Sequence, residues 1–127
     1  MRLTTLLATI ALAFTFTCCT AQGGGVVDVP TLRAEMANGG VQLIDVRTPH
    51  EWVSGHIAGA LHIDWFDDDF KERVARLDKE RPVRLYCHGG GRSADARELL
   101  RGMGFTDVRD LDDGIQSWKA AGEPLEK

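Results

Sequence analysis

The stretch Val83-Arg84-Leu85-Tyr86-Cys87-His88-Gly89-Gly90-Gly91-Arg92-Ser93 constrains this chain more than any other. The run from Val83 to Tyr86 reads as a buried strand and stops at Cys87. Three consecutive glycines follow, then Arg92, then a segment with helical spacing, so the stretch is a strand–loop–helix unit. Consecutive glycines let the backbone close tightly and turn N–H groups inward, because no Cβ blocks positive φ. Inward N–H groups form an anion-binding nest, and the start of the next helix adds partial positive charge. A cysteine in that field is expected to ionise more readily than a free thiol at about pH 8.5. Burial as a small hydrophobe is a common use of cysteine. The glycine loop and arginine directly behind Cys87 point instead to a nucleophile.

Around this unit the chain alternates strands and helices. Val26-Val27 reads as a short first strand, and Pro30 opens a helix that Asn38-Gly39-Gly40 stops. Val41–Val46 is a strand, apolar at nearly every position. Thr48-Pro49-His50-Glu51 is a capping box, with Thr48 as N-cap, Pro49 at N1 and Glu51 at N3, opening a short helix that ends at Gly55. Ala60–Ile63 is a further strand. Asp67–Leu77 is predicted as a helix with Phe70, Val74 and Leu77 on one face. Ser93–Met103 is helical, with Ser93 as its cap. Phe105–Leu111 holds the last strand, and Gly114–Ala121 is a short helix carrying Trp118. This order predicts an α/β fold with a central, mainly parallel sheet of about five strands and helices on both faces. Ligands bind such sheets beyond the carboxyl ends of the strands, where Cys87 falls.

A chain of 127 residues allows one domain, and a net charge of −4 gives nucleic-acid binding no electrostatic support. Residues 1–21 have the layout of a secretory signal: Arg2, an apolar run from Leu6 to Phe16, then small or polar residues to Ala21. The run is too short to span a bilayer comfortably. Residues 22–25 read as a glycine tether and 26–127 as the domain. Two endings stay open, cleavage after Ala21 or a lipid on Cys18 or Cys19. The protein is expected to be exported to the periplasm, soluble or lipid-anchored, and to touch a membrane only through that lipid. With the leader removed, Cys87 is the only remaining cysteine, which suggests a reactive thiol and not a disulfide framework. Asp67-Asp68-Asp69 reads as a solvated helix start. His50 and His62 lack partners at metal-ligand spacing, so neither a metal nor a cofactor is expected.

Three segments, in order, carry a resemblance. The loop has Cys87, two variable residues, Gly90, one variable residue, Arg92 and Ser93. Leu43-Ile44-Asp45-Val46-Arg47 continues through Glu51-Trp52 to Gly55-His56-Ile57-Ala58-Gly59-Ala60. Gly114, Trp118, Gly122 and Pro124 follow near the C-terminus. Together they resemble the rhodanese family of single-domain sulfurtransferases over residues 26 to 125. The resemblance implies that Cys87 takes sulfane sulfur from thiosulfate or a persulfide donor and passes it, as a cysteine persulfide, to cyanide or a thiol. The N–H groups of His88, Gly89, Gly90 and Gly91 would cradle the terminal sulfur. Arg92 would hold an anionic donor or shape the loop. His88 would face substrate at the rim, and Asp45 would bond neighbouring loops. Arg47 would add positive potential at the pocket, and His56 would be a hydrogen-bonded core histidine. Partners would be a small-molecule sulfur donor and acceptor. Two rivals remain open: a persulfide carrier or binding module, and a thiol phosphatase or arsenate reductase. The tyrosine-phosphatase signature places five residues between cysteine and arginine, whereas four stand here.

Overall fold

The computed structural model describes residues 24–127, so the leader, with Cys18 and Cys19, lies outside the described residues. The elements run β1 (Val26–Val27), α1 (Val29–Ala37), β2 (Gln42–Asp45), α2 (Pro49–Val53) and β3 (Leu61–His62). They continue with α3 (Phe70–Val74), β4 (Val83–Tyr86), α4 (Gly91–Gly102), β5 (Val108–Leu111) and α5 (Gly114–Ala120). The five strands form one sheet in the order β1-β5-β4-β2-β3. Every pairing is parallel, so the mainly parallel sheet expected is wholly so. β4 lies at the centre. Its register sets Leu85 between Ile44 and Asp110, and Tyr86 beside Asp45.

Side-chain alternation along the strands builds two cores. Val83, Leu85, Ile44 and Val108 pack beneath Phe70 and Val74 of α3 and Ala96 and Leu100 of α4. Tyr86, Leu43 and Leu111 pack on the other face, beneath Leu32 of α1 and Ile115 and Trp118 of α5. Cover on both faces explains why these strands show no apolar–polar alternation in sequence. Arg84 lies inside the central strand and is buried. Glu35 of α1 at 2.7 Å and Asp107 at 3.0 Å hold its guanidinium, and Glu35 also takes Arg109 at 2.8 Å. A buried guanidinium is tolerated only with such partners.

Two of the expected boundaries that move lie outside the glycine loop. The helix expected over Asp67–Leu77 spans only Phe70–Val74, because Asp67 and Phe70 close turns through their N–H groups onto Asp64 O and Asp67 O. The acidic run therefore lies in a turn, with Asp67 paired to Arg73 at 3.3 Å. At the other end, Gly25 is drawn out of the tether into the fold. Its carbonyl accepts from Asp110 N at 3.2 Å and from Arg97 Nη1 at 2.9 Å.

Candidate active site

Cys87 follows directly on β4, at the carboxyl end of the sheet, and is 2% exposed. The chain then turns through His88 and Gly89 to Gly90, whose φ of +105° is a left-handed conformation that favours glycine. Gly90, not Ser93, is the N-cap, and α4 starts at Gly91. This corrects the capping role expected of Ser93, which is buried in the first turn of the helix. A left-handed glycine ahead of Gly91 lets the helix begin two residues early. It also aims the Gly90 N–H at Cys87 Sγ, 3.0 Å away. The amides of Gly91, Arg92 and Ser93 head the helix and have no acceptor within it. They form the anion-favouring end of a twelve-residue helix beside the sulfur.

α5 holds the loop from its other side. Ile115 N donates to Cys87 O at 2.9 Å, and Gln116 N donates to His88 O at 3.4 Å. This contact requires glycine at 114: φ is +58°, and a Cβ there would lie 2.5 Å from Cys87 O and 2.6 Å from His88 O. Gln116 also donates its amide Nε2–H to His88 Nε2 at 2.9 Å, fixing the exposed ring at the rim. Gly89 and Gly91 are exposed beside it.

Arg92 bonds neither loop carbonyls nor a free surface. Its two terminal nitrogens each donate to a Glu51 oxygen at 2.8 Å, and the guanidinium lies 6.0 Å from the centre of the Phe66 ring. Glu51 also completes the capping box of α2, accepting from Thr48 N at 3.0 Å. One carboxylate thus fastens α2 to the loop. The hydrogen bonds from Arg92 hold the Glu51 carboxyl well below the usual range, at about 2. A depressed carboxyl stabilises the fold above its unfolded value and loses that contribution as pH falls through the folded value. Glu51→Gln keeps the capping box but removes the ion pair. Its melting temperature is expected below that of the parent by a constant gap above about pH 4.5, closing toward pH 2. For a pair this exposed the gap corresponds to about 1 kcal/mol or less. A gap that persists unchanged at pH 2 would show that the pair contributes nothing.

Asp45 and Arg47 are brought together and closed on each other. Arg47 Nη2 donates to Asp45 Oδ2 at 2.6 Å and to Gly55 O at 2.8 Å, and both side chains are fully buried. The guanidinium also lies 5.6 Å from the centre of the Tyr86 ring, whose hydroxyl accepts from Ile57 N at 3.0 Å. Burial pushes the Tyr86 hydroxyl far above its ordinary value. Arg47 is therefore a strut joining β2 to the end of α2. Its charge is spent on Asp45, two residues away. His56 is half-buried and stacks on Trp52 at 3.5 Å, with its Nδ1 3.3 Å from Trp52 O, in keeping with a hydrogen-bonded scaffold residue.

Two site residues were not singled out in the sequence reading. The sequence marks Glu51 as a cap and as part of the second matching segment, but nothing local marks its pairing with a residue 41 positions later. Asp110 lies behind the loop with its Oδ2 3.3 Å from Ser93 Oγ and its Oδ1 2.5 Å from Arg97 Nη1. A carboxylate inside the otherwise covered strand β5 was the available signal for it.

Residues 28–121 match the model of the family described as Rhodanese-like domain. A thiosulfate sulfurtransferase GlpE of Stutzerimonas stutzeri is 33% identical over 84 residues, 66% of this chain and 75% of that protein. The protein of the same name from Ectopseudomonas mendocina is 31% identical over 91 residues, 72% of this chain and 82% of its own length. Among solved structures, the rhodanese-like domain of an Anabaena protein superposes with a TM-score of 0.72 at 31% identity. That match covers 82% of this chain and 80% of the other. A human single-domain sulfurtransferase gives 0.66 at 27% identity, covering 77% and 97%.

Proposed function

This chain belongs to the rhodanese-like domain family and is a rhodanese-type sulfurtransferase; we propose that it carries sulfur as a persulfide on Cys87. The observation that bears most weight is the Gly90 N–H donating to a buried Cys87 sulfur at the head of α4. In the first half-reaction the Cys87 thiolate attacks the outer sulfur of thiosulfate. A new S–S bond forms, and sulfite leaves with the electron pair of the old one. The negative charge moves one S–S bond outward onto the terminal sulfur, where the loop amides stabilise it as an oxyanion hole would. In the second half-reaction cyanide or a thiolate attacks that sulfur and Cys87 departs as thiolate. No external oxidant or reductant is needed. The four-residue spacing from Cys87 to Arg92 supports a cradle sized for one sulfur atom over one sized for a phosphoryl group.

Arg92 contributes its charge to this site, since Glu51 occupies its fork. Removing the guanidinium leaves the Glu51 carboxylate unpaired beside the path of a dianionic donor. Arg92→Ala is therefore expected to raise the thiosulfate KM about tenfold, the scale of repulsion between an uncompensated carboxylate and a nearby dianion in a partly solvated site. An unchanged KM would restrict Arg92 to fastening α2. The function itself is tested by thiocyanate formation from thiosulfate and cyanide. Stoichiometric loading without turnover would make the protein a persulfide carrier, and no loading at all would overturn the reading. Export by the leader is also proposed, supported by its charge and hydropathy layout. The mass of the N-terminus isolated from cells tests it and separates cleavage after Ala21 from lipidation at Cys18 or Cys19.

A further inference from the structure

Asp110 is a buried carboxylate close to the reacting sulfur that the two half-reactions do not use. Between them stands Ser93, fully buried, whose hydroxyl lies 3.2 Å from Gly90 O, 3.3 Å from Asp110 Oδ2 and 3.5 Å from Cys87 Sγ. A serine hydroxyl has one proton to give. When Cys87 is a thiolate, the sulfur and the carboxylate compete for that proton, and one negative atom goes without it. When Cys87 carries a persulfide, Sγ is neutral. The charge then sits one S–S bond, about 2 Å, further out. Ser93 can then donate to Asp110 with only the neutral Gly90 carbonyl, 3.2 Å away, as a competitor.

We propose that Asp110, acting through Ser93, favours the persulfide-loaded form of Cys87 over the empty thiolate. It is thus a positioning residue that sets how firmly the protein holds transferred sulfur. This rests on the reading of Cys87 as the sulfur carrier. Arg97 of α4 fixes the carboxylate by its 2.5 Å contact and is itself anchored on Gly25 O at 2.9 Å, so Asp110 is not free to turn away. Burial pushes the Asp110 carboxyl upward, against the opposing pull of Arg97. The other charged groups around the pair are already partnered or more distant. Arg92 acts on Cys87 but is fastened to Glu51, with Asp64 acting on it from the loop after β3. Asp45 and Arg47 of β2 are closed on each other. α5 meets the loop with the uncharged residues Gly114, Ile115 and Gln116 and with the backbone amide of its exposed N-cap residue Asp113, which faces Gly90.

The test equilibrates the purified protein with thiosulfate and sulfite at graded ratios, at a pH above the alkylation midpoints, and reads the persulfide fraction by intact mass. In parallel, the iodoacetamide alkylation rate of the unloaded protein is followed against pH. Asp110→Asn is expected to need a thiosulfate-to-sulfite ratio about tenfold higher for half-loading. Its alkylation profile should move to lower pH by about one unit, the equivalent of tenfold. Ser93→Ala should move that profile the other way, because the sulfur loses its hydroxyl donor while the carboxylate stays. Opposite directions from two contacting residues are not what loss of packing produces. An unchanged half-loading ratio in Asp110→Asn, or shifts of the same sign in both variants, overturns the proposal. If Asp110→Asn alone does not fold, the pair Asp110→Asn with Arg97→Gln leaves neither charge, and a smaller shift of the same sign is expected. Absence of any persulfide on the parent protein would instead defeat the reading of Cys87.

Discussion

Replacing Cys87 with serine is expected to abolish sulfur transfer, lowering turnover by about 10⁴-fold or more, as loss of a catalytic nucleophile does elsewhere. The reason is chemical, not structural. A serine oxygen accepts the Gly90 N–H and the Ser93 hydroxyl much as the sulfur does, so the loop keeps its geometry. It is a far weaker nucleophile at neutral pH and has no adjacent base to activate it. Intact mass gives the direct readout. After thiosulfate the parent should gain the mass of one sulfur atom, and cyanide should remove it. The gain should map to the peptide containing Cys87, which separates it from anything on Cys18 or Cys19. Cys87→Ser should show neither gain nor thiocyanate formation while its melting temperature stays within a few degrees of the parent. Transfer retained in that variant would move the chemistry to another residue.

The largest expected structural effect comes from Gly114→Ala. A methyl group there would lie 2.5 Å from Cys87 O and 2.6 Å from His88 O, and φ at this position is +58°. Neither carbonyl can yield cheaply, because Ile115 N and Gln116 N hold them against α5. Left-handed strain and overpacking together are expected to cost about 2–5 kcal/mol. That corresponds to a fall in melting temperature of roughly 10–25 °C for a domain of this size. Gly122→Ala serves as the control, since its φ of +73° is similar but nothing lies within 4 Å of the added carbon. It should cost only about 1–2 kcal/mol of left-handed strain. The difference between the two variants isolates the contact between α5 and the loop. Surviving Gly114→Ala protein should also transfer sulfur poorly, as the shifted carbonyls drag the amides around Cys87. Equal losses in the two variants would show that α5 does not clamp the loop.

Much of the fold was legible because its signals are local. Pro30, the Asn38-Gly39-Gly40 stop, the capping box at Thr48 and Glu51, and the largely apolar run at 83–86 each act within a few residues. Each element appears where its signal stands. The exceptions are local conflicts that the chain resolves differently. The acidic run at Asp67 closes turns before Asp69 caps α3, so that helix opens later than expected, and Gly90 caps α4 ahead of Ser93 because a left-handed residue was available. Arg84 shows the limit of hydrophobic patterning. Its strand reads as buried, and the structure buries it, but only by bringing Glu35 and Asp107 from sequence distances of 49 and 23 residues.

From sequence alone followed the alternation of strands and helices, the family, and a lone cysteine set between a buried strand and a glycine loop. Those follow from residue type and short spacing, which backbone sterics and single-residue chemistry read directly. The tertiary structure alone decided which partner each charged side chain keeps. Arg92 is fastened by Glu51 of α2, Arg47 closes on Asp45 beneath Gly55, and Asp110 is set behind Ser93 by the parallel register of β4 and β5. A guanidinium has several carboxylates within reach in the unfolded chain. Its choice among them is made by sheet register and helix docking, which no window of neighbouring residues contains.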